Sequence, residues 1–375
     1  MEKKLHFIVG ASGSGKSEHL FTKLIQKSLE HPEKNYILVV PEQFTMETQK
    51  KVVLMHPSGA VANIDIVSFN RLAFRVFSEL GILQAEMLDD TGKSLILRKV
   101  IANEREQLNI YREKVHMHGF VEEMKSVISE LYMYGIGMEK YKEIREQVKG
   151  NALISEKLKD IEVVFEGFRS YIEDKYITKE ELLDRLCDVI PKSGVIRESE
   201  LYFDGFTGFT PVQNKAMKLL LEYSVGITIT VTAGREEYAA IQKGIACGMI
   251  PVMEQELFKM SKETINTLLK MYDELFGKTG LEQIAGESIF LDGRNGRFRN
   301  NLVLAHLEEQ MFRPGGKRVK NDGSVMLLRF DGPRSEVEYI TDYIAWQVKK
   351  GMRYRDFAII CGDTVSYTHL TLPTT

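Results

Sequence analysis

Cysteine is scarce in this chain of 375 residues, and the three present, Cys187, Cys247 and Cys361, lie far apart. That spacing makes neither a disulfide framework nor a metal cluster, and it fits a reducing compartment. Long hydrophobic runs are missing as well. None approaches the roughly 18–20 residues that cross a bilayer. The first ten residues, Met1 to Gly10, are too short in apolar length for a signal peptide and lead directly into a strand. A cytoplasmic protein with no membrane partner is expected. An excess of either charge is also lacking: 50 Lys and Arg stand against 53 Asp and Glu, a formal charge of −3. This excludes a globally basic nucleic-acid binder and leaves a local basic groove open. With 43% hydrophobic and 27% charged residues and a mean hydropathy of −0.19, collagen-like, disordered and coiled-coil classes are out. The length suffices for two or three domains with cores of their own.

What is present is a change of texture along the chain. Leu5–Val9, Tyr36–Val40 and Ile64–Val67 are short apolar, β-branched bursts, as buried parallel strands are. Ser17–Leu29 and Thr45–Leu54 between them read as helices, which is βαβ organisation over residues 1–85. Over 86–195 the strands vanish. Phe120, Met124, Val127, Ile128 and Leu131 keep helical spacing, as do Leu158, Ile161, Phe165 and Phe168, and Thr178 with Glu181 forms a capping box. This stretch reads as an all-helical insertion. Strand texture returns at Leu201–Phe203 and Ile227–Val231, in a continuation over 196–320. Ser324–Phe330 and Phe357–Cys361, flanking an amphipathic Ser335–Val348, read as the first strands of a second α/β domain over 321–364. Trp346 on that helix is expected in the core. Residues 365–375 carry no Lys, Arg, Asp or Glu and leave the preceding strand without a stop signal. They back-translate to a sequencing-adapter end, so a non-native tail after Thr364 is expected, a genuine polar tail being the alternative. No internal repeat is visible.

The chemistry centres on Gly10-Ala11-Ser12-Gly13-Ser14-Gly15-Lys16-Ser17, a full phosphate-loop pattern directly after a strand and opening a helix. Its glycines let successive N–H groups face the phosphates, and the helix N-terminus favours the anion. Lys16 would neutralise phosphate charge and the Ser17 hydroxyl would hold Mg²⁺. ATP and Mg²⁺ are the implied cofactors. Hydrolysis further needs a strand ending in an acidic pair, one member for the metal and one for water. The best candidate is Asp204, at the end of Leu201-Tyr202-Phe203, and it is followed by Gly205 where a catalytic Glu is expected. The other reading of Asp204 is a simple Asp-Gly turn. In either case the general base is missing from its place, so no catalytic residue is assigned beyond Asp204 as the candidate acid for the metal.

The order of the phosphate loop, then Ile37–Thr45 with its Pro41-Glu42-Gln43-Phe44, then Ile66–Phe74, is similar to superfamily 1 helicases. The Pro-Glu-Gln-Phe block, Ser68-Phe69-Asn70-Arg71-Leu72-Ala73-Phe74 and Tyr202–Pro211 more closely resemble the AddB family, the B subunits of bacterial AddAB helicase–nucleases. Phe330–Glu338 and Tyr354–Ile360 continue the pattern, so that it covers essentially Met1 to Thr364. The resemblance implies an α/β P-loop NTPase fold with a helicase-like parallel sheet, the helical insertion and the start of a second α/β domain. It implies the AddA subunit as heterodimer partner and single- and double-stranded DNA as ligands. It further implies a role in double-strand break processing with recognition of Chi. An iron–sulfur cluster and a nuclease domain are expected only in a longer parent, and none of the three cysteines here is assigned to the cluster.

Departures from active helicases are equally informative. No glutamine-bearing segment precedes the phosphate loop, the acidic pair is reduced to Asp204, and Thr232-Ala233-Gly234-Arg235 replaces a Gly-Asp…Gln sensor. A site that binds ATP without being the main motor is expected. For DNA, Ser68, Phe69, Asn70 and Arg71 offer a hydroxyl, an aromatic face, an amide and a cation, with Phe69 and Phe74 as plain core residues the other reading. His116 and His118 read as a solvated turn, and Arg294, Arg297 and Arg299 as a solvated loop able to meet phosphate. Two further classes stay open: a stand-alone P-loop NTPase or kinase with a helical lid, and a non-enzymatic scaffold with a structural nucleotide.

Overall fold

The computed structural model describes residues 4–362 apart from 83–85, 149, 174, 294–295, 314–315 and 317, so the tail over 365–375 lies outside the described residues. Six strands form one sheet: β1 (Lys4–Gly10), β2 (Asn35–Val39), β3 (Ile64–Val67), β6 (Ser199–Phe203), β7 (Gly226–Thr232) and β8 (Ile289–Leu291). Their order is β3-β2-β6-β7-β1-β8, and every pairing is parallel. A second, two-stranded ladder joins β4 (Glu86–Met87) to β5 (Tyr176–Ile177).

The near-continuous apolar runs have a simple cause: both faces of the sheet are covered. Leu5, Phe7, Val9, Ile37, Val39, Leu201 and Phe203 point into one core. The alternate residues Ile8, Tyr36, Leu38, Val40 and Tyr202 point into another. This is the period of two expected of a pleated strand with helices on each side. The second face is closed by α1 (Lys16–Glu30), through Leu20, Phe21, Leu24 and Ile25, and by α2 (Thr45–Met55), through Val52. The first is closed by α3 (Phe69–Glu79) and by the later helices α8 (Lys179–Val189), α10 (Pro211–Tyr223), α11 (Tyr238–Cys247), α12 (Lys259–Phe276) and α13 (Leu281–Glu287). The short α9 (Gly194–Glu198) adds Ile196 to that core.

Between β3 and β6 the chain builds a separate core from α4 (Asp90–Asn103), α5 (His118–Met133) and α7 (Ala152–Ile172), with Met138 of α6 (Met138–Gln147). Two details differ from the all-helical expectation. The β4–β5 ladder is present, and α8 belongs to the core of the sheet, through Leu182, Leu183, Leu186 and Cys187. The capping box of Thr178 and Glu181 opens α8.

Two compact units divide at Asn301 and not at the expected boundary near residue 321. The second unit holds α14 (Leu302–Gln310) and α15 (Pro333–Lys349). Ser324–Phe330 and Phe357–Cys361 are not strands here: neither is paired in a ladder, and Leu327 and Ile360 are 99% and 96% exposed. A strand exists only with a hydrogen-bonded neighbour, and apolar content alone supplies none. Trp346 is likewise half exposed rather than core, with the Lys350 ammonium 3.2 Å from its ring centroid.

Candidate nucleotide-binding site

The carboxyl ends of β1, β6 and β7 converge, and the candidate groups sit on them. β7 lies between the other two, so side chains leaving β1 and β6 meet above its end. After β1 the loop turns through Gly13 and Gly15 at φ of 72° and 93°, left-handed values that a side chain tolerates poorly. Gly15 then caps α1, whose first residues are Lys16 and Ser17. The Lys16 ammonium folds back and donates to the carbonyls of Gly10 and Ala11, each at 2.9 Å. The Ala11 N–H donates to the Tyr238 hydroxyl at 3.1 Å, which itself donates to the Leu291 carbonyl at 2.7 Å, tying the loop to the end of β8.

Asp204, at the end of β6, is buried and its backbone N–H donates to the Val39 carbonyl. Its Oδ1 accepts from the Ser17 hydroxyl at 3.1 Å and from the Thr230 hydroxyl of β7 at 2.7 Å. Two oxygens of the kind that hard divalent cations take, a hydroxyl and a carboxylate, therefore lie side by side at the mouth of the loop. This donor pair fits Mg²⁺ held mainly by nucleotide phosphates and water. Among the described residues no group of three or more His, Cys, Asp or Glu side chains could hold a metal alone. Gly205 follows at φ 80°, in the conformation of a turn, with no carboxylate at that position.

A cavity of about 570 Å³ opens in front of the loop. Lys16, Lys51 of α2, Arg297 and Arg299 line it, against the carboxylate of Glu18. In a chain of net charge −3 this is a local concentration of positive charge suited to a polyphosphate. The arginines are placed by backbone: the Arg297 N–H donates to the Gly13 carbonyl at 2.7 Å, and a Cβ on Gly13 would meet the Phe298 ring at 2.9 Å. Arg297 and Arg299 are exposed on a turn, as the loop reading expects, and they also line this cavity; Arg294 lies outside the described residues. His19 on α1 is held below its usual range, by burial first and by Lys23 second, so it adds no charge near neutral pH.

The four residues expected at DNA separate. Ser68 is buried and caps α3 by accepting from the Arg71 N–H. Phe69 is 4% exposed, its ring centroid 5.9, 5.7 and 6.3 Å from those of Phe203, Phe206 and Phe209. The structure therefore places Phe69 in the core and withdraws it from base stacking. Asn70 and Arg71 remain at the surface, Asn70 donating to Glu42 at 2.8 Å. The accessible aromatic face nearby is Phe44, 45% exposed, beside Pro41 and the Gly205 turn.

The family model described as ADDB, N-terminal, matches residues 7–308. The chain belongs to the AddB family. Among its relatives, the B subunit of the ATP-dependent helicase/deoxyribonuclease of Lachnoclostridium phytofermentans is 37% identical over 370 residues, 97% of this chain and 31% of that protein. The proteins of the same name from Clostridium tetani and Clostridium botulinum strain Hall are 29% and 27% identical, each over 98% of this chain. The chain spans 31% of the length of these relatives. For an AddB-family chain the phosphate loop and Asp204 were legible in sequence as separate signals. Thr230 is one of three alternating threonines in β7 and nothing in the sequence singled it out, and nothing near Lys51 or Tyr238 pointed to the site. No helix among the described residues is long and apolar enough to cross a membrane.

Proposed function

We propose that this chain is the nucleotide-binding, DNA-contacting N-terminal part of the B subunit of an ATP-dependent helicase/deoxyribonuclease, with a helicase-like P-loop sheet and the helical layer as an insertion. The observation that carries this reading is the 3.1 Å contact of Ser17 with Asp204, made across β7 at the mouth of a full phosphate loop. Gly10 to Gly15 and Lys16 cradle the phosphates of ATP, while Ser17 and Asp204 take Mg²⁺ with the nucleotide. When bound, Mg²⁺ neutralises charge on the phosphates. The chain's own residues bind and orient. Gly205 stands where a general base would follow, so this protein holds ATP and leaves the main motor work to its partner AddA.

Single-stranded DNA is met at the carboxyl edge of β2 and β3, where Asn70, Arg71 and Phe44 are accessible. The setting is double-strand break processing, with Chi recognition, nuclease and iron–sulfur cluster in the longer parent. Binding of ATP to the full-length protein, followed by calorimetry with and without Lys16→Ala, tests this. At least ~30-fold weaker ATP binding by the variant is expected from loss of the phosphate-facing cation. Unchanged binding would remove the nucleotide assignment, and fast turnover without DNA or partner would favour a stand-alone NTPase.

A further inference from the structure

Lys51 reaches the nucleotide cavity from α2, an element outside the phosphate loop and its helix. Its neighbours Thr48 and Val52 are buried, which anchors the helix, while Lys51 itself is exposed. Exposed lysines commonly sit near a carboxylate, but Lys51 has no ion-pair partner among the described residues. Its ammonium instead rests 5.5 Å from the centroid of the Phe21 ring. Phe21 is 2% exposed and therefore a fixed platform. It stands four positions after Ser17 on α1, on the same helix face as the hydroxyl that contacts Asp204. A cation on an aromatic face gains modestly from the ring and keeps its other N–H groups free to donate. Lys51 and the backbone-placed Arg297 thus line one cavity with Ser17 from different elements, and Lys51 is the cation held over a buried ring.

We propose that Lys51 is a second phosphate-binding cation of this pocket, aimed by Phe21 and specific for the outer phosphates of a nucleoside triphosphate. The proposal rests on the nucleotide reading above. Lys51 lets the site distinguish triphosphate from diphosphate although no carboxylate follows Asp204: added negative charge at the outer phosphate gains a partner, and its loss leaves Lys51 on the ring.

Calorimetry on the full-length protein tests this, using ATP, ADP and inorganic tripolyphosphate at fixed Mg²⁺ and salt. Lys51→Met keeps the stem over Phe21 and removes the charge; Lys51→Arg restores it. ATP and tripolyphosphate binding are expected to weaken about 10-fold in Lys51→Met, as for one lost charge-assisted hydrogen bond. ADP should weaken by less than about 3-fold, and Lys51→Arg should stay within about 2-fold of the parent for all three. Equal weakening of ATP and ADP would overturn the outer-phosphate assignment, and unchanged ATP binding would overturn the role of Lys51 altogether. Lys16→Ala in the same series separates the two readings. If it abolishes binding while Lys51→Met does nothing, the pocket stands and only the Lys51 proposal falls; if Lys16→Ala binds normally, the nucleotide reading itself falls.

Discussion

Asp204 illustrates how much one carboxylate does in this chain. It accepts from two hydroxyls on different elements, and in the proposed nucleotide site it is the acidic group that would face the bound cation. Asp204→Asn keeps the volume but removes the only formal charge of the donor pair. ATP affinity measured in Mg²⁺ should fall about 10-fold, while affinity measured in EDTA should change little. Equal affinities in Mg²⁺ for variant and parent would sink the metal role. Asp160 is the structural counterpart. It is 1% exposed, and its two oxygens accept from the N–H groups of Asn109, Ile110 and Tyr111, all at 2.8 Å. Asp160→Ala would leave three donors without a partner at a cost of about 2–4 kcal/mol, read from the urea midpoint of the folded chain. A loss under about 1 kcal/mol would show that water replaces the carboxylate. Local spacing made the phosphate loop legible, because its glycines, lysine and serine are consecutive. Thr230 and Lys51 were not legible, because what brings them to the site is strand order and helix packing, which no local spacing encodes.

Elements are joined by polar staples as well as by core. Glu79, at the end of α3, accepts from the Ser193 hydroxyl and from the Gly194 and Val195 N–H groups at the start of α9. Burial pushes its carboxyl upward, but those three donors and the Arg75 charge prevail and hold it below the usual range. A carboxyl depressed in the fold contributes stability above its unfolded value and loses it as pH falls through the folded one. Protection of the Gly194 and Val195 amides, taken as their exchange rate relative to an unstructured amide at the same pH, should therefore fall on acidification, and Glu79→Gln should flatten that dependence. A pH-independent rate ratio between parent and variant would contradict the staple. In α12, Lys262 is buried between Glu237 at 2.6 Å and Glu256 at 2.9 Å, fixing the turn after β7. Helices α1, α2, α5, α7, α8 and α15 and the five longer strands were legible from period and apolar content. The two expected strands of the second unit were not, because strandedness is a property of a pair, and Leu327 and Ile360 have none.

For the whole molecule, the decisive features are a charge balance near neutrality and a cavity that gathers cations. The proposed DNA binding through Asn70, Arg71 and Phe44 should depend on salt through the few phosphates it neutralises. Between about 50 and 200 mM salt, single-strand affinity is expected to fall about 10-fold, with a slope near −0.7 per phosphate contact. Arg71→Ala should lower that slope by about one contact, and Phe44→Ala should weaken binding without changing it. A Phe44→Ala variant that binds as tightly as the parent would remove the stacking face.

The buried parallel strands, the phosphate loop, the lone acid at Asp204 and the family are each written in consecutive residues, and the amino-acid order was enough to read them. Packing alone settled that Phe69 is core while Phe44 is accessible, and that Arg297 and Lys51 share a wall with Lys16. Burial and proximity between distant residues follow from which strands lie side by side, and that choice is made by the whole core at once.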